Sequence, residues 1–295
     1  MNIKSKSNPW FKTTILFLAI FIVSASASAQ GFYGSINAGY GFPLGSQQVL
    51  GLSNTIYNSN TDYYSDEPVF MSFAEGMYVG ASGGYMFNEH VGVDLGVNYL
   101  FGNSQQGTYQ SSYSDPDFQY SGSDVTIFSA NMLRVTPSLV VRTGMEKLNP
   151  YARLGVVFGF ATINMEQTSK FTETYNGMTT QENSEMAYEL NEGVSIGLSS
   201  ALGALFTVSE KMSFFAEVAM TNMSYAPNKG MVTKYTENGV DLLNTLTTAE
   251  KEVEFVDKVV EEGNAPSNPN KPSQVARIFM PFGSYGLNIG VVFSF

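Results

Sequence analysis

Between Val91 and Phe101 the residues Val91, Val93, Leu95, Val97, Tyr99 and Phe101 alternate with Gly92, Asp94, Gly96 and Asn98. Successive side chains of a strand point to opposite sides of its sheet, so this period of two describes a strand with two unlike faces. The pattern recurs in seven further segments, whose apolar rows run through Phe32–Phe42, Met77–Phe87, Leu133–Val141, Leu154–Phe160, Leu190–Phe206, Phe214–Met220 and Tyr285–Phe295. Glu192 interrupts the sixth row and Phe215 blurs the seventh. Most segments reach about ten residues, and a tilted strand needs about 9–11 to cross a bilayer.

The second face separates a membrane barrel from a soluble sandwich. A sheet face turned to water carries Lys and Glu, whereas here it is mostly Gly and Ser. Charged residues make up 14% of the chain, against about 25% in soluble domains. Several apolar rows end in aromatics, at Tyr40/Phe42, Tyr85/Phe87, Tyr99/Phe101 and Phe293/Phe295, where a transmembrane barrel carries its interfacial girdles. The connections alternate in length. Asn88–His90, Thr143–Pro150 and Ser209–Lys211 are short; Pro43–Gly76, Asn103–Phe128, Asn164–Ala187 and Pro227–Arg277 are long. Strands in hydrocarbon must also close on themselves to satisfy their backbone. The expected fold is all-β, an eight-stranded antiparallel up-and-down transmembrane barrel with short periplasmic turns and long extracellular loops.

Residues 1–29 have the order of a secretory signal: basic Lys4, Lys6 and Lys12, an apolar run from Ile15 to Val23, then Ala27-Ser28-Ala29. Cleavage is expected before Gln30, leaving 30–295 as the barrel domain. Removal takes three bases and no acids, so the formal charge of −11 becomes −14. No Lys or Arg occurs from Thr13 to Leu133, which excludes a nucleic-acid footing there. The chain has no Cys and one His, which excludes disulfides and thiolate metal sites.

The signal, the eight amphipathic strands and the ending Gly290-Val291-Val292-Phe293-Ser294-Phe295 together resemble small bacterial outer-membrane β-barrels of the OmpA transmembrane domain, OmpX and OmpW group. The resemblance implies a cell outer-membrane location in contact with membrane lipids. It also implies that Phe295, with Phe293, Val291, Ile289, Leu287 and Tyr285 behind it, is read by the barrel-assembly machinery. The periplasmic peptidoglycan-binding domain of the OmpA type is not expected. Barrel enzymes resembling this group pair a His with Ser or Asp near the outer leaflet. His90 falls in the first short turn, at the opposite end, so no enzyme activity, cofactor or metal is expected.

Asp94, Arg134, Arg142, Arg153 and Glu217 fall on the inward rows. A narrow barrel encloses only enough space for side chains or one small ligand, so these five are expected to pair as a charge network filling the lumen. The acids Asp62/Asp66/Glu67, Asp115/Asp117/Asp124 and Glu182/Glu185 read as solvated charge on outer loops. Thr247 and Glu250 fit a capping box, and Val253, Val256 and Val260 follow at helical spacing, so a helix is expected near Thr248–Glu262. The expected role is non-enzymatic, in envelope integrity or adhesion through loops that meet an unidentified extracellular partner; the alternative is a narrow channel for small solutes.

Overall fold

The computed structural model describes residues 31–260 and 268–295. The expected signal, with Ala27, Ala29 and Gln30, lies outside the described residues. In chain order the strands are β1 (Phe32–Pro43), β2 (Gln47–Asn58), β3 (Tyr63–Met71), β4 (Gly76–Met86), β5 (Val91–Gly102), β6 (Gln105–Ser114), β7 (Phe118–Arg142), β8 (Leu148–Tyr175) and β9 (Met178–Asn191). They continue with β10 (Ser195–Ser209), β11 (Met212–Asn222), β12 (Ser224–Tyr225), β13 (Lys229–Glu237), β14 (Val240–Asp241), β15 (Glu252–Val256), β16 (Ser273–Ala276), β17 (Met280–Pro281) and β18 (Ser284–Ser294). Among the described residues, a 3-10 turn at Leu243–Thr245 precedes one short α-helix, α1, at Thr248–Lys251.

Eight strands form a ring in the order β1, β4, β5, β7, β8, β10, β11, β18 and back to β1, with every neighbour antiparallel. Closure leaves these strands no unpaired edge. At the seam the Phe295 amide donates to the Phe32 carbonyl at 3.1 Å. The apolar rows face outward. Ile36, Leu95, Leu198, Leu202, Val218, Leu287 and Ile289 are all exposed. Aromatics bracket this band, with Phe32, Tyr85, Phe87, Phe206, Phe214 and Phe293 toward the short turns. Tyr40, Phe42, Tyr99, Phe101 and Tyr285 stand at the other end. Ten residue steps from Phe32 to Phe42, at about 3.3 Å each and tilted ~40°, give a band ~25 Å tall, the height of a membrane barrel's apolar belt.

The glycines of the inward face have a steric cause. The ring of Tyr78 lies where a Cβ on Gly39 would stand, the ring of Tyr33 does the same over Gly84, and Phe215 covers Gly290. Inward aromatics therefore lie flat across neighbouring strands instead of projecting to the axis.

β7 and β8 do not stop at the end of the barrel. Phe118–Ala130 pairs with Ile163–Tyr175 as a continuing hairpin. Further strands add on both sides, giving a nine-stranded sheet in the order β16, β15, β13, β9, β8, β7, β6, β2, β3. Much of the expected loop length, including most of Asn103–Phe128 and Asn164–Ala187, is thus β-structure. The side-chain alternation inverts along these strands. In the barrel, β7 turns Leu133 and Val135 outward. Above it the aromatic residues fall on the inward rows: Tyr120 opposite Tyr113 and Glu173, and Phe171 opposite Gly122. The opposite rows carry Ser121, Ser123, Thr172 and Thr174.

Two expectations are corrected. Leu190 does not belong to the outward row of the sixth barrel strand. It ends β9 and is buried, and Glu192, at φ +62°, breaks the chain before β10. The expected helix at 248–262 is one turn. Its capping box forms, with Glu250 accepting from the Thr247 amide at 2.8 Å, but the helix ends at Lys251. Glu252–Val256 is strand β15, paired with β13, with Phe255 buried. Counting Phe255 beside Val253 turns the apolar spacing from helical to alternating, and the edge of β13 supplies the backbone partners.

Candidate functional site

The lumen is built in three storeys. Toward the short turns, Tyr33, Tyr151, Leu205, Phe215 and Val292 form a small apolar cluster, with Met86 packed against it. At the other end a larger apolar plug sits on the inward tops of the barrel strands, where Leu100, Met132, Val157 and Ala161 meet Phe73, Tyr225 and Phe282. Three segments cross the mouth and tie together through the backbone. The Phe73 amide donates to Pro281 at 2.9 Å, the Phe282 amide to Met223 at 3.0 Å, and the Ser72 hydroxyl to the Gly283 carbonyl at 2.6 Å. Phe73 stacks on Phe282 at 5.4 Å and meets Phe128 edge-on. The Tyr225 hydroxyl donates to the Ala161 carbonyl and accepts from the Gly193 amide, so this buried phenol is satisfied.

Between the two apolar ends lies a polar storey that holds most of the expected network. Arg153 is its centre. It contacts Glu217 directly and approaches Asp94 at 3.7 Å. Glu217, with its side chain fully buried, also accepts from the Tyr151 hydroxyl at 2.6 Å and from Asn288 at 2.8 Å. Asp94 accepts from the Ser82 hydroxyl at 2.8 Å and from Tyr33 at 3.1 Å. Asn37 donates to both Asn98 and Asn288, extending the polar belt across the lumen.

The other two arginines stand apart from this cluster. Arg142 places its guanidinium 4.8 Å from the centre of the Tyr33 ring. Arg134, 7% exposed, lies opposite Asn98 on β5. Neither its Nε nor its Nη2 has a hydrogen-bond partner among the described residues. A cavity of about 70 Å³ opens beside Arg134, and a second of about 30 Å³ lies nearer the short turns. Asp94 and Arg153 line both. The sequence places the five charges on the inward rows, but only Asp94, Arg153 and Glu217 come together, and Arg134 and Arg142 do not join the expected pairing. The inward phenols Tyr33, Tyr78 and Tyr151 and the plug are not among its expectations. The readable signal for Tyr33 was an aromatic in the small, polar row of its strand.

Outside the lumen, His90 lies in the exposed turn between β4 and β5, its Nδ1 3.3 Å from the Arg142 carbonyl. Among the described residues no three acidic or histidine side chains converge as a metal site. Some of these loop acids have local partners instead. Asp66 accepts from Thr55 at 2.7 Å, and such hydrogen bonds hold its carboxyl below the usual range. Lys234 pairs with Glu185 and likewise holds that carboxyl down. The row from Tyr285 to Phe295 faces outward along β18, where it meets β11 and β1.

The family model described as outer membrane protein beta-barrel domain matches residues 13–244. The chain belongs to this outer-membrane β-barrel family. The match includes the barrel strands from β1 to β11, and β18 closes the ring beyond it. No curated protein matches the chain. A solved structure titled as that of Acinetobacter baumannii CarO aligns at 16% identity and a TM-score of 0.28, covering 74% of this chain and 92% of that one. By its family the chain is an outer-membrane barrel protein, and the outward apolar band of the closed ring is its membrane-spanning surface.

Proposed function

We propose that this barrel is a non-conducting, non-enzymatic anchor that presents its nine-stranded sheet at the cell surface, in adhesion or envelope integrity. The observation that carries the reading is the double seal: an apolar cluster at the short-turn end and an apolar plug at the other. A solute path would have to cross both. In this reading the short turns face the periplasm and the sheet faces outward, in line with the loop asymmetry of outer-membrane barrels. Membrane lipids contact the outward rows, and the barrel-assembly machinery reads the β18 row ending at Phe295. The sheet supplies the contact surface, because β7 and β8 carry it as rigid continuations of the barrel wall.

Single-channel recording on refolded protein tests the sealed lumen. The expected result is no steady current. A conductance typical of general porins would overturn the reading and favour a solute channel. Cells carrying a variant that lacks the β2–β3 hairpin, Gln47–Met71, test the surface role. That variant is expected to insert and to lose surface attachment.

A further inference from the structure

We infer that the lumen holds a small inorganic anion, of the halide class, against the guanidinium of Arg134. The first ground is charge. The inward network contains three guanidinium groups, Arg134, Arg142 and Arg153, and two carboxylates, Asp94 and Glu217. Both carboxylates turn to Arg153. Arg142 lies on the Tyr33 ring near the short turns, with its Nε alone lacking a partner, against both Nε and Nη2 of Arg134, among the described residues. With both carboxylates on Arg153, Arg134 and Arg142 each lack an ion pair, and Arg134 is the more deeply buried of the two.

The second ground is geometry. Arg134 is nearly fully buried, and Nε and Nη2 have no acceptor among the described residues. A buried unpaired charge is among the most costly features a fold can carry. The cavity of about 70 Å³ lies against this side chain; Thr136, Ser199, Thr221 and Asn288 line it elsewhere, and the Asp94–Arg153–Glu217 cluster, whose carboxylates are engaged by Arg153, forms part of its wall. Hydroxyl and amide groups donate to an anion as readily as they accept from a cation. About 10–15 Å³ of such space admits one water, so the chamber takes a monatomic anion with a few waters and excludes a bulky organic one. An anion there offsets the charge of Arg134 and fills the guanidinium's open positions at once. The site is independent of the surface role and of the direction of insertion.

The test is to refold the protein in detergent at one ionic strength, in chloride or in gluconate, and to follow thermal unfolding as chloride replaces gluconate. Gluconate is too large for the chamber. Chloride is expected to raise the midpoint by a few degrees and to saturate, as ligand binding to the native state requires. Arg134→Met should abolish the saturable part, and Arg142→Met should retain it. Equal midpoints in the two salts, or the same chloride dependence in Arg134→Met, would overturn the proposal. If Arg134→Met fails to refold, crystals of the wild type grown in bromide decide. An anomalous peak within hydrogen-bonding reach of Arg134 is expected, and ordered water alone at that position would refute it.

Discussion

Removing Glu217 should damage this barrel more than removing Asp94, although both are buried acids on the same arginine. Glu217 carries three contacts: Arg153, the Tyr151 hydroxyl and the Asn288 amide. Glu217→Ala leaves Arg153 with only Asp94, 3.7 Å away. Breaking a buried pair by deleting one partner costs ~3–5 kcal/mol, and the two orphaned donors keep the loss toward the upper part of that range without adding in full. Asp94→Ala leaves the Arg153–Glu217 contact intact. It frees two hydroxyls, Tyr33 and Ser82, and gives up one long ion pair, which together cost ~1–3 kcal/mol. Glu217→Gln keeps the shape and one acceptor and should fall between them. Denaturant unfolding of the refolded barrel, followed by tyrosine emission or circular dichroism, gives the order directly. Tyrosine is the natural probe, since the one tryptophan, Trp10, falls in the expected signal. Losses below ~1 kcal/mol for both acids would mean that water screens the lumen as it screens a surface pair. A larger loss at Asp94 than at Glu217 would contradict the assigned contacts.

Leu202 is 70% exposed in the middle of the outward band, so Leu202→Arg should cost ~2–4 kcal/mol in vesicles, while Ser123→Arg on the extramembrane sheet should change unfolding little. Phe282→Ala should cost ~3–5 kcal/mol through the cavity it leaves in the plug, yet bilayer recordings should still show no current, because the cluster around Phe215 seals the other end. Deleting Phe295 removes the amide bonded to Phe32 at the seam. Fractionation should find the truncated chain depleted from the outer membrane but still exported.

The barrel was legible because lipid imposes one composition on one face. Eight outward rows had to be apolar, and each was read at nearly its true place. The extramembrane strands were not legible for the same reason in reverse. Past Met132 and Ala161 the surroundings change from hydrocarbon to water, and the apolar side changes from outer to inner. Phe128, buried and inward, sits at the change, and a reading that follows one phase loses the strand there. The plug was hidden differently. Phe73 and Phe282 come from irregular segments between strands and Tyr225 from the two-residue strand β12, too short for a period to mark them. The charge network was legible as a set of residues but not as contacts. Arg134, Arg142 and Arg153 are equivalent in sequence pattern, and only the register that brings Glu217 beside Arg153 separates them.

This change of polarity locates the membrane boundary on β7 and can be measured. Leu133 and Ser121 point to the same side of one continuous strand, twelve residues apart. At about 3.3 Å per residue and a tilt of ~40°, they differ by ~30 Å in height, more than the whole apolar band. The chain has no cysteine, so Leu133→Cys and Ser121→Cys each give a single labelling site without background changes. A fluorophore at Leu133 should be quenched by lipid-borne bromine and shielded from aqueous iodide; one at Ser121 should show the reverse. The comparison is insensitive to loop motion, because both sites stand on paired strand, Leu133 beside Phe160 and Ser121 beside Thr172. Equal quenching at the two positions from either phase would mean that the β7–β8 hairpin lies along the membrane instead of rising from it, and the surface role drawn from the sheet would fail with it.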